Sequence, residues 1–467
     1  MGQANDSIAA RRIREVLDEN SFVELGAWVT ARNTDFNLTA EKTPSDGVVT
    51  GYGTIDGKLV YLYSQDPRAL GGSVGEMHAK KIGRIYEMAM KMGAPVIGLI
   101  DCAGLRLEEA SDALNAFGEL YRCQAAANGV VPQIQAIYGG CGGSMAVSAA
   151  MADFTFMETA EGRLFLHVPN ALSDSGASTA DAASAVFQSE ESGIADFVGT
   201  AEEIAEGIRS LVRLLPASFE DDLSYENCED SLNRLVPEIA ALDQSERLAA
   251  ISDDGFVIEP GKGFGASVTT AFIRLNGCTV GAVAVASNAV CWRGVEKASR
   301  FVRFCDAFQI PILTLAEAGG FRKDLSSERH LAKKAASLIF AYASATVPKV
   351  TLFTGETYGL AYNLFAPKTV SDVVLAWPAA KLSLMEAGDA VKIMYAKELE
   401  NTENKADFYQ EKVDAYTALQ SDVKSAARRG YVDDIIDAQL TRKRVIAAFE
   451  MLFTKSESIS VRKHGTI

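Results

Sequence analysis

What this 467-residue sequence lacks narrows its chemistry before any motif is considered. Histidine is scarce, with only His78, His167, His330 and His464. None lies in an HExxH helix or beside a GxSxG turn, so zinc-peptidase and serine-hydrolase chemistry lack their local signatures. Seven cysteines are scattered singly through apolar segments, and no CxxC pair occurs. An odd number so placed points to buried free thiols rather than a disulfide framework or a structural zinc site. No apolar run reaches the roughly 18–20 residues that a bilayer-crossing helix needs, and the polar start MGQANDSIAARRIREVLDEN has no secretory core, which predicts a soluble, cytoplasmic chain. Excess positive charge is absent as well: 45 Lys and Arg stand against 61 Asp and Glu, for a net charge of −16. That balance argues against nucleic acid as a partner, and an anionic ligand must find local positive groups.

The length exceeds what one growing core supports, so two lobes of roughly 200 residues each are expected. In the first half, VVTGYGTI and LVYLYS alternate like strands around Asp56-Gly57, a hairpin signal. Helical period over Met77–Met92 stops at Gly93-Ala94-Pro95, and VIGLID follows as a buried strand. A second helix over Ser111–Gly129 leads into the strand QIQAIYG and a glycine cluster, Gly139–Gly143. The second half repeats this order. Pro95 and Pro311, Gly104 and Gly320, Pro132 and Pro348, and Gly143 and Gly359 all share one offset of 216 residues, which implies duplication. The acidic stretch Pro216–Ser245 reads as a solvated connector, dividing lobes at 1–245 and 246–467. Val391–Ala427 is strongly charged with helical spacing, as in an exposed helical excursion.

Both glycine clusters, Tyr138–Met145 and Tyr358–Tyr362, fall where a strand ends and a helix begins. Backbone amides at such a junction converge on one point and suit a carbonyl oxygen that becomes an oxyanion. A single cluster is explained by tight packing of helix on strand. Two at equivalent positions suit a reaction in which two oxygens, one on each substrate, take on negative charge. Neither cluster is followed by Gly-Lys-Ser/Thr, which sets aside a Walker phosphate loop.

At these residues the sequence resembles the carboxyltransferase subunits of biotin-dependent acyl-CoA carboxylases and related decarboxylases, in the crotonase-like superfamily. The resemblance rests on GGSVGEMHAKKI, GAPVIGLID, GLRLEE and GVVPQIQAIYGGCGGS in the first half. In the second it rests on RLNGCTVGAVA, KASRFVRFCDAFQIPILTL, AYASATVPKVTL, YGLAY and RRGYVDDIIDAQLTRKRVIAAFE. It implies an α/β fold of two duplicated crotonase-like (ClpP/crotonase) β-β-α spiral lobes, the first holding acyl-CoA and the second biotin. It implies carboxyl transfer through enolates. The thioester oxygen is then assigned to the amides of Gly143 and Ser144, and the biotin ureido oxygen to those of Leu360 and Ala361. Leu360 stands where the family has a glycine. Substrate-binding positions by the same resemblance are Gly71, Gly72, Gly104, Leu105, Arg106, Gly142, Tyr358, Gly359, Tyr362 and Asn363. Implied partners are a biotin carboxyl carrier protein with a biotin carboxylase or with membrane subunits of a sodium-pumping decarboxylase. The chain itself lacks the Met-Lys-Met of a biotinyl domain. A homo-oligomer, a hexamer built as a trimer of dimers, is expected, with coenzyme A as part of the substrate and no metal. Two other readings stand beside this one: a crotonase-type hydratase or isomerase, which needs a pair of glutamates such as Glu108 and Glu109, and an inactive scaffold subunit.

Overall fold

Two tight turns begin the construction of each half. Asp56-Gly57 and Asn276-Gly277 all adopt positive φ, from 47° to 79°, the two-residue hairpin conformation whose twist matches that of the flanking strands. The structure is a computed structural model that describes residues 7–34, 45–167, 181–221 and 225–457; His464 lies outside the described residues.

Among these residues each half builds an eight-stranded sheet. The first contains β1 (Val23–Leu25), β2 (Val48–Ile55), β3 (Lys58–Gln65), β4 (Val96–Cys102), β5 (Gln133–Gly142), β6 (Phe154–Glu158), β7 (Arg163–Phe165) and β8 (Phe197–Gly199). The second contains β9 (Val257–Ile258), β10 (Val268–Leu275), β11 (Cys278–Ala286), β12 (Ile312–Ala318), β13 (Lys349–Tyr358), β14 (Val373–Ala376), β15 (Lys381–Ser383) and β16 (Asp434–Ile435). Spatial order is β1-β2-β3-β4-β5-β6-β8, with β7 beside β5, and β9-β10-β11-β12-β13-β14-β16, with β15 beside β13. The two orders correspond strand for strand, so the duplication read from one shared offset extends to the whole topology.

An antiparallel start, β1-β2-β3, gives way to parallel pairing that requires helical crossovers. Glu76–Met92 supplies the first crossover. An acid sits in its first turn, Gly93 ends it in the left-handed conformation, and Ala79, Ile82, Tyr86 and Ala89 bury one face at helical spacing. Ala110–Ala127 supplies the second, and Trp292–Ala307 and Leu325–Ser344 are their counterparts. Covered on both faces, β4 and β12 are buried along nearly their whole length, which is why VIGLID and ILTLAE read as continuous apolar runs. No helix among the described residues is long and apolar enough to cross a membrane.

The chain divides into two compact units, Met1–Ser224 with Pro260–Phe264, and Tyr225–Glu259 with Gly265–Ile467. Residues 225–245, read above as the tail of the first lobe, therefore pack with the second. Tyr225 bridges Cys278, the Val236 amide donates to the Gln439 carbonyl at 3.0 Å, and Ile239 is 1% exposed in the second core. Glu226, Glu229, Glu238 and Asp243 are exposed, as expected, but Asp230 is drawn inward. The buried Arg442 guanidinium pairs with Asp253 at 2.7 Å and Asp230 at 3.3 Å, and it donates to the Ile251 carbonyl at 2.6 Å. The charged excursion, by contrast, is exposed as its composition implies: the helix Lys405–Tyr416 buries none of its residues.

Arg442→Met leaves Asp253 buried without its cation, and should destabilise the second unit by about 3–5 kcal/mol. Urea unfolding followed by tryptophan fluorescence checks this, because Trp377 donates to Thr441 beside Arg442. An unchanged midpoint would show that the pairing contributes no net stability.

Candidate active site

The loops that leave β4 and β12 repeat each other bond for bond. In the first lobe the Val74 amide donates to the Gly104 carbonyl at 2.9 Å, and the Arg106 amide returns to the Val74 carbonyl at 3.0 Å. In the second, Val290 donates to Gly320 at 3.0 Å and Arg322 to Val290 at 3.0 Å. Gly71 and Gly72, at φ 63° and 64°, turn the chain over the end of β4, where a Cβ on Gly72 would strike the Asp101 carbonyl. Gly104, at φ 110°, lies against the Gly142 carbonyl. These glycines bring the loop Gly104–Arg106 beside the glycine cluster at the end of β5.

At the clusters themselves, Gly143 has φ 59° and ψ −124°, and Gly359 has φ 54° and ψ −127°. Both angle pairs belong to the first central position of a type II′ turn, which only glycine adopts without strain. The Gly143 amide donates to the Phe165 carbonyl on β7 at 2.9 Å, and the Gly359 amide donates to the Ser383 carbonyl on β15 at 2.9 Å. Helices Ser144–Ala150 and Leu360–Leu364 start immediately afterwards.

This geometry corrects the sequence assignment of the first donor pair. Gly143 spends its N–H on Phe165, so the amides left without an acceptor among the described residues are those of Ser144 and Met145. In the second lobe the amides without an acceptor among the described residues are those of Leu360 and Ala361. The two pairs are now equivalent, again at an offset of 216 residues, and that offset applied to Leu360 and Ala361 would have found Met145 from sequence. Tyr121 Oη fixes the first helix by donating to the Ser144 carbonyl at 2.7 Å, and Gln124 and Gln135 donate to the Ser148 carbonyl at 3.1 and 3.3 Å. An apolar cavity of about 420 Å³ runs along this helix past Ala146, Val147, Leu164 and Phe165.

Arg106 is a second correction. Its guanidinium is fully buried, paired with Asp46 and with Glu109 at 2.9 Å, and it donates to the Ser73 carbonyl at 2.7 Å, so this side chain holds loops rather than substrate. Glu109 is equally committed: its other oxygen accepts the Glu76 amide at 2.6 Å, capping the helix Glu76–Met92. A hydratase pair of Glu108 and Glu109 is therefore not on offer. Leu105 and Gly142 line the junction, and the Phe165 ring covers Gly142.

In the second lobe, Tyr358 sits among Glu356 and Glu386; burial first and then these carboxylates push its phenol up. Tyr362 stacks on Phe353 with ring centroids 5.6 Å apart. Asn363 is exposed within the short helix, whose cap is Gly359, and so it is free to face a ligand. Among the described residues no group of three or more His, Cys, Asp or Glu side chains is placed to hold a metal ion.

His78, the histidine nearest these loops in sequence, is not a catalytic base. Its Nδ1–H donates to the Asp46 carbonyl at 2.8 Å, and its Nε2 accepts from Gln65 at 3.2 Å. Burial, aided by the Arg106 guanidinium, depresses it to about 3.

The sequence matches the carboxyl transferase domain family over residues 3–467. It is 40% identical to a propionyl-CoA carboxylase beta chain of Roseobacter denitrificans, over 98% of this chain and 93% of that one. It is 37% identical to a methylmalonyl-CoA decarboxylase subunit alpha of Propionigenium modestum, over 98% and 92%. Its fold matches the transcarboxylase 12S crystal structure, a hexamer with methylmalonyl-coenzyme A and methylmalonic acid bound, with a TM-score of 0.93 at 31% identity over 98% of this chain and 91% of that one. The duplicated α/β lobes are thus of the crotonase-like carboxyltransferase type.

Two outcomes follow from the site. Ser144 occupies the first helical position, where proline is tolerated, so Ser144→Pro deletes one donor without breaking the helix. Turnover should fall by about 10²-fold with an unchanged circular dichroism spectrum. Full turnover would remove this amide from the site. For His78, a folded value near 3 against 6.5 unfolded means the neutral ring contributes its full stability above pH 6.5 and loses it progressively as pH falls toward 3. The melting temperature should drop between pH 6.5 and 4, and His78→Gln should flatten that slope.

Proposed function

Because the chain belongs to the carboxyl transferase domain family, and is a carboxyltransferase of the propionyl-CoA and methylmalonyl-CoA type, we propose that it moves a carboxyl group between an acyl-CoA and biotin carried on a partner protein. One observation carries this reading: two equivalent pairs of unpaired amides, each presented by an identical glycine turn. A single-substrate lyase needs one such pair, whereas carboxyl transfer charges an oxygen on each substrate.

The Ser144 and Met145 amides hold the thioester oxygen as it gains charge when the α-carbon is deprotonated or decarboxylated. The Leu360 and Ala361 amides hold the ureido oxygen. Biotin, when bound, supplies the ring nitrogen that carries the carboxyl group. Each donor contributes on the order of 3 kcal/mol to the barrier, so the two pairs together account for much of the catalysis. Gly71, Gly72 and Gly104 allow the surrounding backbone to come close to the thioester, while Tyr358, Tyr362 and Asn363 border the second pair.

The similarity to transcarboxylase 12S, described as a hexamer, supports a homo-oligomer built as a trimer of dimers. A biotin carboxyl carrier protein is the required partner. Whether a biotin carboxylase or the membrane subunits of a decarboxylase complete the complex sets only the direction of transfer, and relatives of both kinds support the same site chemistry. Purified protein given malonyl-CoA or methylmalonyl-CoA with free biotin should release acetyl-CoA or propionyl-CoA, and affinity capture from its native cell should retain a streptavidin-reactive protein. Absence of biotin-dependent turnover with either thioester would sink the proposal.

A further inference from the structure

The duplication supplies an internal control for electrostatics at the two donor pairs. Beside each glycine turn a three-residue strand brings one cation into register with the strand that ends in the turn. In the second lobe Lys381 on β15 lies opposite Glu356 on β13, and Nζ pairs with Oε1 at 2.7 Å. In the first lobe the matching cation is Arg163 on β7, and the residue opposite it on β5 is Gly140. A carboxylate in one repeat is a hydrogen atom in the other.

Arg163 is exposed, and among the described residues no carboxylate pairs with it; its Nη1 donates to the Gly162 carbonyl at 2.6 Å. Strand alternation sets Arg163 and Phe165 on one face of β7; the Phe165 ring covers Gly142 on the turn side, while Gly140, opposite Arg163, carries no side chain that could pair with the guanidinium. Phe165, two residues on, is the residue whose carbonyl holds the Gly143 amide. In a chain of net charge −16, a cation that no described carboxylate neutralises is what an anionic ligand requires at this point.

We propose that Arg163 is a specificity-determining residue that binds an anionic group of the acyl-CoA at the first donor pair, whereas beside the second pair the matching cation, Lys381, is already engaged by Glu356. This rests on the functional reading above. The anion is either the carboxylate to be transferred or a phosphate of the coenzyme, and both would pair with a guanidinium through charge-assisted hydrogen bonds.

Calorimetric titration of the full-length chain separates these sources. Arg163→Gln should weaken malonyl-CoA binding about tenfold, Arg163→Lys should recover most of it, and the KM for free biotin should stay unchanged. If the carboxylate is bound, acetyl-CoA affinity is unaffected. If a phosphate is bound, malonyl-CoA and acetyl-CoA weaken alike and malonyl-pantetheine does not. Undiminished malonyl-CoA affinity in folded Arg163→Gln, or an equal rise in the KM for biotin, overturns the assignment of Arg163. A native chain that binds no acyl-CoA overturns the functional reading first, and this inference with it.

Discussion

One buried guanidinium organises the first lobe. Arg106 reaches Asp46 before β2, the Ser73 carbonyl in the loop after β3, and Glu109 ahead of the second crossover helix. Glu109 passes the constraint on to the amide of Glu76, and His78 ties the first helix back to the Asp46 carbonyl. Burying ions costs several kcal/mol each, and such a group is retained where close pairing offsets that cost. The offset here is incomplete: Asp46 Oδ2 has no hydrogen-bond partner, and burial pushes its carboxyl up against the opposing pull of Arg106. Movement of any one of these loops would expose an uncompensated charge, so Gly104 stays pressed on Gly142 and the donor helix starts from a fixed point.

The second lobe keeps the backbone of this arrangement and discards the ions. Arg322 makes the same main-chain bond as Arg106, but its side chain lies in solvent beside Asp324 at 2.9 Å. Beneath the glycine turns the acid is kept and lengthened, Asp101 with Arg12 at 2.8 Å becoming Glu317 with Arg247 at 3.2 Å. The proposed catalysis through main-chain donors permits this drift. The chemistry asks only that an amide point to one place, and the glycine angles agree within a few degrees while most neighbouring side chains differ.

Much of this was legible in the sequence because it depends on local rules. Asp56-Gly57, the stop at Gly93 and the buried run VIGLID each report their own conformation, and one offset through four Pro and Gly pairs reports the duplication. What was misread depends on distant partners. Gly143 looks like a donor until β7 brings the Phe165 carbonyl to it, and Arg106 looks like a ligand-binding arginine until Asp46 folds over it. Asp230 has a local counter-ion in Arg234, four residues on, but its second one, Arg442, arrives from the far end of the chain.

Gly143 and Gly359, with no Cβ, no charge and no titratable group, are the residues on which both proposed oxyanion sites turn. An alanine scan, the common way to find a catalytic centre, would pass over Ser144 and Leu360, since alanine keeps their amides in place. The loss of function would appear instead at two glycines that conventional reading assigns to folding. Inactivating variants of this enzyme would then be taken for stability defects, although the fold around them is intact and only the direction of an N–H bond has changed.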